Sequence, residues 1–345
     1  MKLITTQADL SHALRTIAPA VSTSNNHPIL SYCLITGDNG VMTVTGFNLD
    51  LGITVAIPAA IDTTGTAALP YRLLAGLVSR MDDGEPVTLS EGSVSASSGS
   101  YTLAACDAAD YPAMPVVEAP GAELDLTTGV RACMAAVSTD ASKQLLTGIH
   151  LAAGIMEATD GHRLMRVPID LPAGIDLVLP AATMKLLQDR TVTIAAARGQ
   201  AIINPGDGVT IYSRILDGKY PDVAKLIPAD FEHTITLDRH RFARALERVA
   251  LIAEAHNSIV KLTANKHLVI TAEADANNGT ETIAYEGTAK GAWAFNVHYL
   301  LDGLKAMRSH ETVVLSANAA TAPVVLQPAN ESGMTYLVMP VQIRE

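Results

Sequence analysis

The chain states one pattern three times, and a repeat limits the possible folds more tightly than any single motif. Stretches with helical periodicity run from Thr5 to Ala20, from Thr128 to Thr139 and from Asp238 to Glu254. A second, shorter helical stretch follows each: Tyr71 to Met81, Pro180 to Arg190 and Asn296 to Arg308. Pro70 and Pro180 are 110 residues apart, and the pairs Tyr111-Pro112 and Tyr220-Pro221 are 109 apart. Two markers with nearly one offset indicate duplicated domains. The chain has 345 residues, and three units of about 115 residues each account for that length better than one oversized core.

Between the helical stretches the period changes to two and β-branched residues dominate. Val41–Gly46, Leu51–Ile57, Val94–Leu103, Thr191–Ala196, Val209–Ser213, Leu268–Ala272 and Thr312–Ser316 read as strands, punctuated by turn clusters such as Gly37-Asp38-Asn39-Gly40 and Asp82-Asp83-Gly84. Helices on one face of antiparallel sheets make an α+β fold. Linkers are expected near Pro115–Glu123 and Pro228–His233, which gives domains 1–118, 119–231 and 232–345. Leu10, Ala13, Leu14 and Ile17 line one face of the first helix, and Phe242, Leu246, Val249 and Ala253 one face of the fifth. Aromatic residues make up only 4% of the chain, so Ala, Val, Leu and Ile must build the cores.

The net charge of −11 argues at first against nucleic acid, but its distribution reverses that argument. The six helical stretches hold twelve basic residues against six acidic ones, so basic helices sit in an acidic body. Arg241, Arg244 and Arg248 follow at spacings of three and four and share a face, either a phosphate-facing stripe or an ordinary solvated one. Cys33, Cys106 and Cys133 form no CxxC pair or Cys/His cluster, and their odd number suits a reduced, cytoplasmic protein. The N-terminal MKLITTQADL has no apolar run of the length that a signal peptide or membrane span requires.

No GxSxG, HExxH, P-loop or Rossmann glycine pattern is present. Asp160-Gly161-His162-Arg163 is the one dense polar cluster. It reads either as a tight turn or as an acid–base or metal site, and no further ligands recur at metal-binding spacing. We expect no catalytic residue, no metal and no cofactor. Lone histidines such as His150, His267 and His310 are expected on the surface or in strands.

The segment Ala158-Thr159-Asp160-Gly161-His162-Arg163-Leu164 resembles the signature of the bacterial sliding clamp, the beta subunit of DNA polymerase III. Other segments agree in order: Asn25–Leu30, Asp107–Pro115, Val137–Gly148, Leu216–Pro228, Phe295–Met307 and Tyr336–Ile343. The resemblance runs essentially end to end. It implies three similar clamp domains, with antiparallel sheets outside and two helices each inside, closing into a ring as a head-to-tail homodimer. At a helix spacing of 8–10 Å, twelve helices give a centre-line diameter of roughly 34 Å, wide enough for a duplex. One chain supplies six, so two chains are needed, and a heterologous interface closes a ring when its rotation permits. The implied function is to tether the replicative polymerase to duplex DNA for processive synthesis, through sequence-independent phosphate contacts.

The DNA-facing residues would be Arg15, Arg72, Arg80, Arg131, Lys185, Arg190, Arg241, Arg244, Arg248, Lys305 and Arg308. The resemblance also implies an apolar pocket for a short peptide motif carried by the DNA polymerase III catalytic subunit, the clamp loader and other clamp-motif proteins. Its matching positions are Leu146, Thr159, Gly161, His162, Arg163, Leu164, Pro221, Leu226, Asn296, Tyr299, Leu337, Val338, Met339, Pro340 and Val341. Leu164, Leu226 and Val338 would form apolar walls, although each could equally be plain core, and His162 and Arg163 would orient the peptide. Dimer contacts would fall at Tyr101 and Leu103 in the first domain and at Leu251 and Ile252 in the third. The chain departs from the family pattern at Asn257, where an aromatic is usual, at Gln144 and Leu145, where a tyrosine pair often stands, and at Ser98-Gly99-Ser100, which replaces arginines. The competing readings are a metal-assisted hydrolase built on Asp160 and His162, and a clamp-like scaffold that does not close on DNA.

Overall fold

The computed structural model describes every residue except Asn25, Asn26, His256, Glu331, Ser332, Ile343, Arg344 and Glu345. Asn25, Asn26 and Ile343 belong to the family-like segments and so lie outside the described residues. Among the described residues six α-helices form, one in each expected stretch: α1 (Gln7–Ile17), α2 (Tyr71–Val78), α3 (Gly129–Cys133), α4 (Ala181–Leu186), α5 (Arg239–Ala253) and α6 (Val297–Ala306). Thr5 and Thr6 close a strand instead of opening the first helix, and the Thr6 hydroxyl caps α1 by accepting from the Asp9 N–H at 3.1 Å. Asp238 caps α5 by accepting from Arg241 N at 2.8 Å. The expected apolar faces of α1 and α5 are buried. Each large aliphatic side chain so buried contributes about 1.5–3 kcal/mol.

The third helix is much shorter than its expected stretch. It runs for five residues and tightens into a 3-10 turn at Met134–Ala136. Thr128 provides no side-chain cap, and Ser138 has already turned away to donate its N–H to Leu146 O at 2.9 Å.

Two compact units result: Met1–Leu124 with Thr191–Ile215, and Asp125–Arg190 with Leu216–Glu345. The strands in chain order are β1 (Lys2–Thr6), β2 (Tyr32–Asp38), β3 (Val41–Phe47), β4 (Leu51–Pro58), β5 (Ala60–Thr63), β6 (Gly65–Pro70), β7 (Pro86–Ser90), β8 (Ser93–Ala96), β9 (Gly99–Thr102), β10 (Ala122–Asp125), β11 (Gly148–Ala152), β12 (Ile155–Thr159) and β13 (Arg163–Pro168). They continue with β14 (Asp176–Pro180), β15 (Thr191–Ala197), β16 (Gln200–Gly206), β17 (Val209–Arg214), β18 (His233–Asp238), β19 (Ile259–Ala264), β20 (Leu268–Ala274), β21 (Asn277–Ile283), β22 (Glu286–Thr288), β23 (Gly291–Asn296), β24 (Thr312–Ala317), β25 (Val324–Pro328) and β26 (Thr335–Val338).

The first unit holds a five-stranded sheet, β5-β1-β7-β8-β9, and an eight-stranded sheet, β10-β15-β16-β17-β4-β3-β2-β6. The stretch Val94–Leu103, expected as one strand, is the hairpin β8–β9, because Glu85 accepts from both the backbone N–H and the hydroxyl of Ser97 at the bend. The eight-stranded sheet joins strands from two of the expected domains. β17 pairs with β4 in antiparallel register, Ile211 opposite Ile53 and Val209 opposite Val55. That pairing removes two open edges that a strictly three-part chain would leave exposed.

The second unit holds a nine-stranded sheet, β14-β11-β12-β13-β26-β25-β24-β18-β22, and a four-stranded sheet, β21-β20-β19-β23. In the larger sheet β13 pairs with β26, Arg163 opposite Val338 and Leu164 opposite Leu337. The ATDGHRL segment and the C-terminal segment are therefore direct neighbours, although they stand far apart in the chain.

Candidate peptide groove and basic helix surfaces

Strand parity decides which residues of the second unit can meet a partner. Side chains alternate between faces of a strand. Tyr336 packs on α6, where it approaches Gly303, so Val338 shares that helix side and is fully buried. Leu337 points the other way. There Leu164, Leu337 and Val325 stand in one cross-strand row and join Val178, Leu216, Tyr220 and Val223 in an apolar cluster. Leu145, Leu146, Ile227 and Phe231 pack against it. Val338 is therefore no groove wall. Leu164 and Leu337 are a covered floor, each almost without solvent exposure.

Above this floor a depression of about 440 Å³ is lined by Lys143, Gln144, Leu145, Leu146, Asp217 and Pro221. Leu146 and Pro221 thus come together, and with them Gln144 and Leu145, the two departures from the family pattern. Leu226 is 54% and Met339 36% exposed, unusual for large apolar residues and suited to a surface that awaits a ligand. Pro340 and Val341 are half-buried, and Val341 N donates to Ala294 O at 2.7 Å.

Asp160–Arg163 forms a tight turn between β12 and β13. Gly161 has φ +95°, a conformation that favours glycine. Thr159 Oγ1 accepts from Gly161 N at 3.1 Å and donates to Arg163 O at 2.6 Å. Asp160 Oδ1 accepts from the backbone N–H groups of His162 and Arg163, at 2.8 and 3.0 Å. Arg163 donates through Nε to Asp160 at 3.0 Å and through Nη1 to Asp302 at 2.5 Å, with its guanidinium 4.5 Å from the centre of the Tyr299 ring. Burial opposes its charge, but Tyr336, Asp302 and Asp160 outweigh that and hold its pKa above the ordinary arginine value.

Arg163 is therefore a brace for the turn and has no free guanidinium to offer a peptide. His162 is exposed, stacks near Tyr299 at 6.2 Å, and its carbonyl accepts from Met339 N at 2.8 Å. Asn296 caps α6 by accepting from His298 N at 2.9 Å. Asn257 lies in the turn after α5 with φ +58°, a conformation asparagine tolerates better than an aromatic. Asp160→Ala should cost about 2 kcal/mol, because it strips three donors of their acceptor; a fall of that size in the unfolding free energy from urea titration checks it, and an unchanged value would contradict the brace.

All eleven basic residues expected to face DNA are exposed. Arg131 pairs with Asp189, and Arg248 makes two bonds to Glu281, at 2.6 and 2.7 Å. The Arg248 hydrogen bonds hold the Glu281 carboxyl below its ordinary pKa. Arg241 lies 4.0 Å from Asp238, and Arg80 donates to Gly76 O at 2.7 Å. Arg15, Arg72, Lys185, Arg190, Arg244, Lys305 and Arg308 have no ion-pair partner among the described residues. Sequence reasoning missed Glu281, which lies 33 residues from Arg248 on another element.

Of the residues expected at a dimer contact, Tyr101 is 40% exposed on β9, the last strand of its sheet, and Leu251 is 75% exposed. Ile252 is half-buried against Gly279 of β21, an edge strand of the four-stranded sheet. Leu103 is buried within its own unit and presents no surface, since its N–H is tied to Gly92 O and its side chain fills the core. Among the described residues no group of three or more His, Cys, Asp or Glu side chains is placed to hold a metal, and no helix is long and apolar enough to cross a membrane.

Known proteins share this geometry. The N-terminal, central and C-terminal domain models of the DNA polymerase III beta subunit match residues 1–115, 123–222 and 224–342. A beta sliding clamp of Synechococcus elongatus is 34% identical over 376 aligned positions, covering 100% of each chain. One of Synechocystis sp. is also 34% identical, over 99% of this chain and 100% of its own. The crystal structure of the DNA polymerase sliding clamp from Bacillus subtilis matches with a TM-score of 0.92 at 25% identity, covering 100% of both chains. The fold is that of a three-domain α+β clamp. The chain belongs to the DNA polymerase III beta-subunit family, and its function is that of a sliding clamp.

Proposed function

We propose that two copies join head to tail into a ring around duplex DNA and, without catalysis of their own, tether the replicative polymerase for processive synthesis. The three domains of that ring would be 1–118, 119–231 and 232–345. The observation that carries this reading is the exposure of basic side chains on or just after all six helices while the apolar helix faces are buried. Contacts of that kind hold phosphates without reading sequence, and they weaken with salt. The clamp acts in the cytoplasm at the nucleoid. The catalytic subunit of DNA polymerase III, the clamp loader and other clamp-motif proteins bind through the groove above Leu164 and Leu337, between Pro221, Leu226 and Met339.

Retention on DNA tests the reading. Labelled protein is loaded on a nicked circular plasmid by a clamp loader with ATP, and the plasmid is then cut once. Retention on the circle and loss from the linear form is expected. Equal retention on both would mean surface binding and no ring.

The homodimer should also be weakly salt-dependent. Ser98-Gly99-Ser100 supplies no charge at the β9 edge, so closure rests on backbone pairing and on Tyr101 and Leu251. Sedimentation from low to high salt should give a dimer constant that changes by less than about threefold, well below what several ion pairs would give; a steep loss with salt would contradict this.

A further inference from the structure

Beside the apolar floor of the groove, on the same face of the sheet, runs a second cross-strand row of opposite character. His150 of β11 stands opposite Glu157 of β12, which stands opposite Arg166 of β13. On its other side His150 faces Val178, a member of the apolar cluster. Two residues further along these strands lies the row of Leu164 and Leu337. A charged row and a buried apolar row are therefore direct neighbours.

Both ring nitrogens of His150 meet carboxylates: Nδ1 lies 2.9 Å from Glu157 Oε1, and Nε2 lies 3.0 Å from Asp176 Oδ1. A neutral imidazole has one N–H and one lone pair. Both contacts are hydrogen bonds only when the ring carries both protons. Arg166 Nε donates to the other Glu157 oxygen at 2.7 Å and fixes that carboxylate in place. The Tyr220 ring lies over His150 with its centre 4.4 Å away and the planes 22° apart. Tyr220 is 7% exposed, and its neighbour Pro221 lines the depression with Leu145 and Leu146.

We propose that His150, held as an imidazolium, positions the Tyr220–Leu226 wall of the groove, so that the grip on a partner peptide weakens as the pH rises. The inference rests on the groove reading above. An imidazolium stacked on a tyrosine face holds that ring by a cation–π attraction, which vanishes with the charge. Loss of the proton also turns a lone pair toward one carboxylate, which repels it. The wall loses its support from below, while the backbone tie of the segment that leads into it, Leu216 N to Val178 O at 2.9 Å, remains.

The charged and titratable groups around His150 agree on the direction. Burial works against its charge, but the hydrogen bonds and charges of Glu157 and Asp176 outweigh it and hold its pKa above the ordinary histidine value. Arg166 acts through Glu157. Tyr220 stays neutral, its pKa raised by burial and by Glu157, and so does the buried Cys133 thiol of α3. A histidine whose pKa is raised on folding contributes fully below its ordinary value, and that contribution is lost as pH rises through the folded value. The window therefore opens near neutrality and extends upward.

The test uses the full chain and a fluorescent peptide spanning the clamp-binding motif of the DNA polymerase III catalytic subunit, blocked at its amine and free of His and Cys. Affinity is measured by anisotropy from about pH 6 to about pH 9. Wild-type affinity should fall about fivefold across that range. His150→Gln should start at the weak end and stay flat. Asp176→Asn, on a carboxylate that is 81% exposed, should keep the low-pH affinity and move the midpoint to lower pH. His162 is common to all three proteins, so only differences between them count. A wild-type profile that is flat, or one that His150→Gln reproduces, overturns the inference and leaves the groove intact. Failure of the folded wild type to bind at any pH removes the groove reading, and this inference with it.

Discussion

Arg241→Glu with Arg244→Glu should lower the number of clamps loaded per nicked plasmid at least tenfold at about 0.1 M salt, where the Debye length is still ~10 Å. Both side chains are exposed near the start of α5, and Arg244 has no ion-pair partner among the described residues. The double change reverses the charge at two positions on one face. Each phosphate neutralised by one arginine fewer should also flatten the logarithmic salt dependence of binding by about 0.9, so the slope should drop by nearly two. Arg248 is a poorer probe. Its guanidinium is already engaged by Glu281 of β21, and a glutamate there would set two carboxylates against each other and disturb the edge strand as well as any phosphate contact. Arg248→Ala should therefore be mild by comparison. Loading that the double variant leaves unchanged would remove α5 from the DNA-facing surface.

What the sequence makes legible here is periodicity, and what it hides is partnership. Leu10, Ala13, Leu14 and Ile17 reveal a helix and its buried face because their spacing follows the turn of the helix itself. The same reasoning places the basic residues on the opposite sides. It does not say that β17 would pair with β4, since both read as ordinary strands and the match of Ile211 to Ile53 depends on a register set in three dimensions. Nor does it separate Leu337 from Val338. Adjacent apolar residues on a strand buried on both faces give no alternation to read, and only the position of Tyr336 against α6 assigns the sides. Arg163 carries the family signature but is consumed by Asp160 and Asp302, the latter 139 residues away. His150 has no local signal beyond its strand. Its carboxylate partners come from two other strands and its aromatic cover from a loop.

Gly303→Ala should destabilise the second unit by about 1–2 kcal/mol net, although alanine is the better helix former by ~1 kcal/mol. The opposing term is steric. A Cβ at this position in α6 would lie 2.3 Å from both Cδ1 and Cε1 of Tyr336. That ring is fully buried and rigid, and its hydroxyl is tied to Tyr299 O at 2.8 Å, so it cannot swing aside as a flexible side chain would. Overpacking of a filled core costs ~1–3 kcal/mol and sometimes more, which outweighs the propensity gain. Urea unfolding checks the size, and equal or higher stability would show that the helix can slide without cost. Relief should come from the partner: Tyr336→Leu in the Gly303→Ala background should recover at least about 1 kcal/mol relative to additivity, as residues in contact do. The change should also reach the groove. Tyr299 sits on α6 beneath the Arg163 guanidinium and the His162 ring, so a displaced helix withdraws support from the turn that carries both. Peptide affinity should therefore fall along with stability in Gly303→Ala. A stability loss with affinity unchanged would mean that the turn is held by Asp160 alone, and that Gly303 serves the core without serving the site.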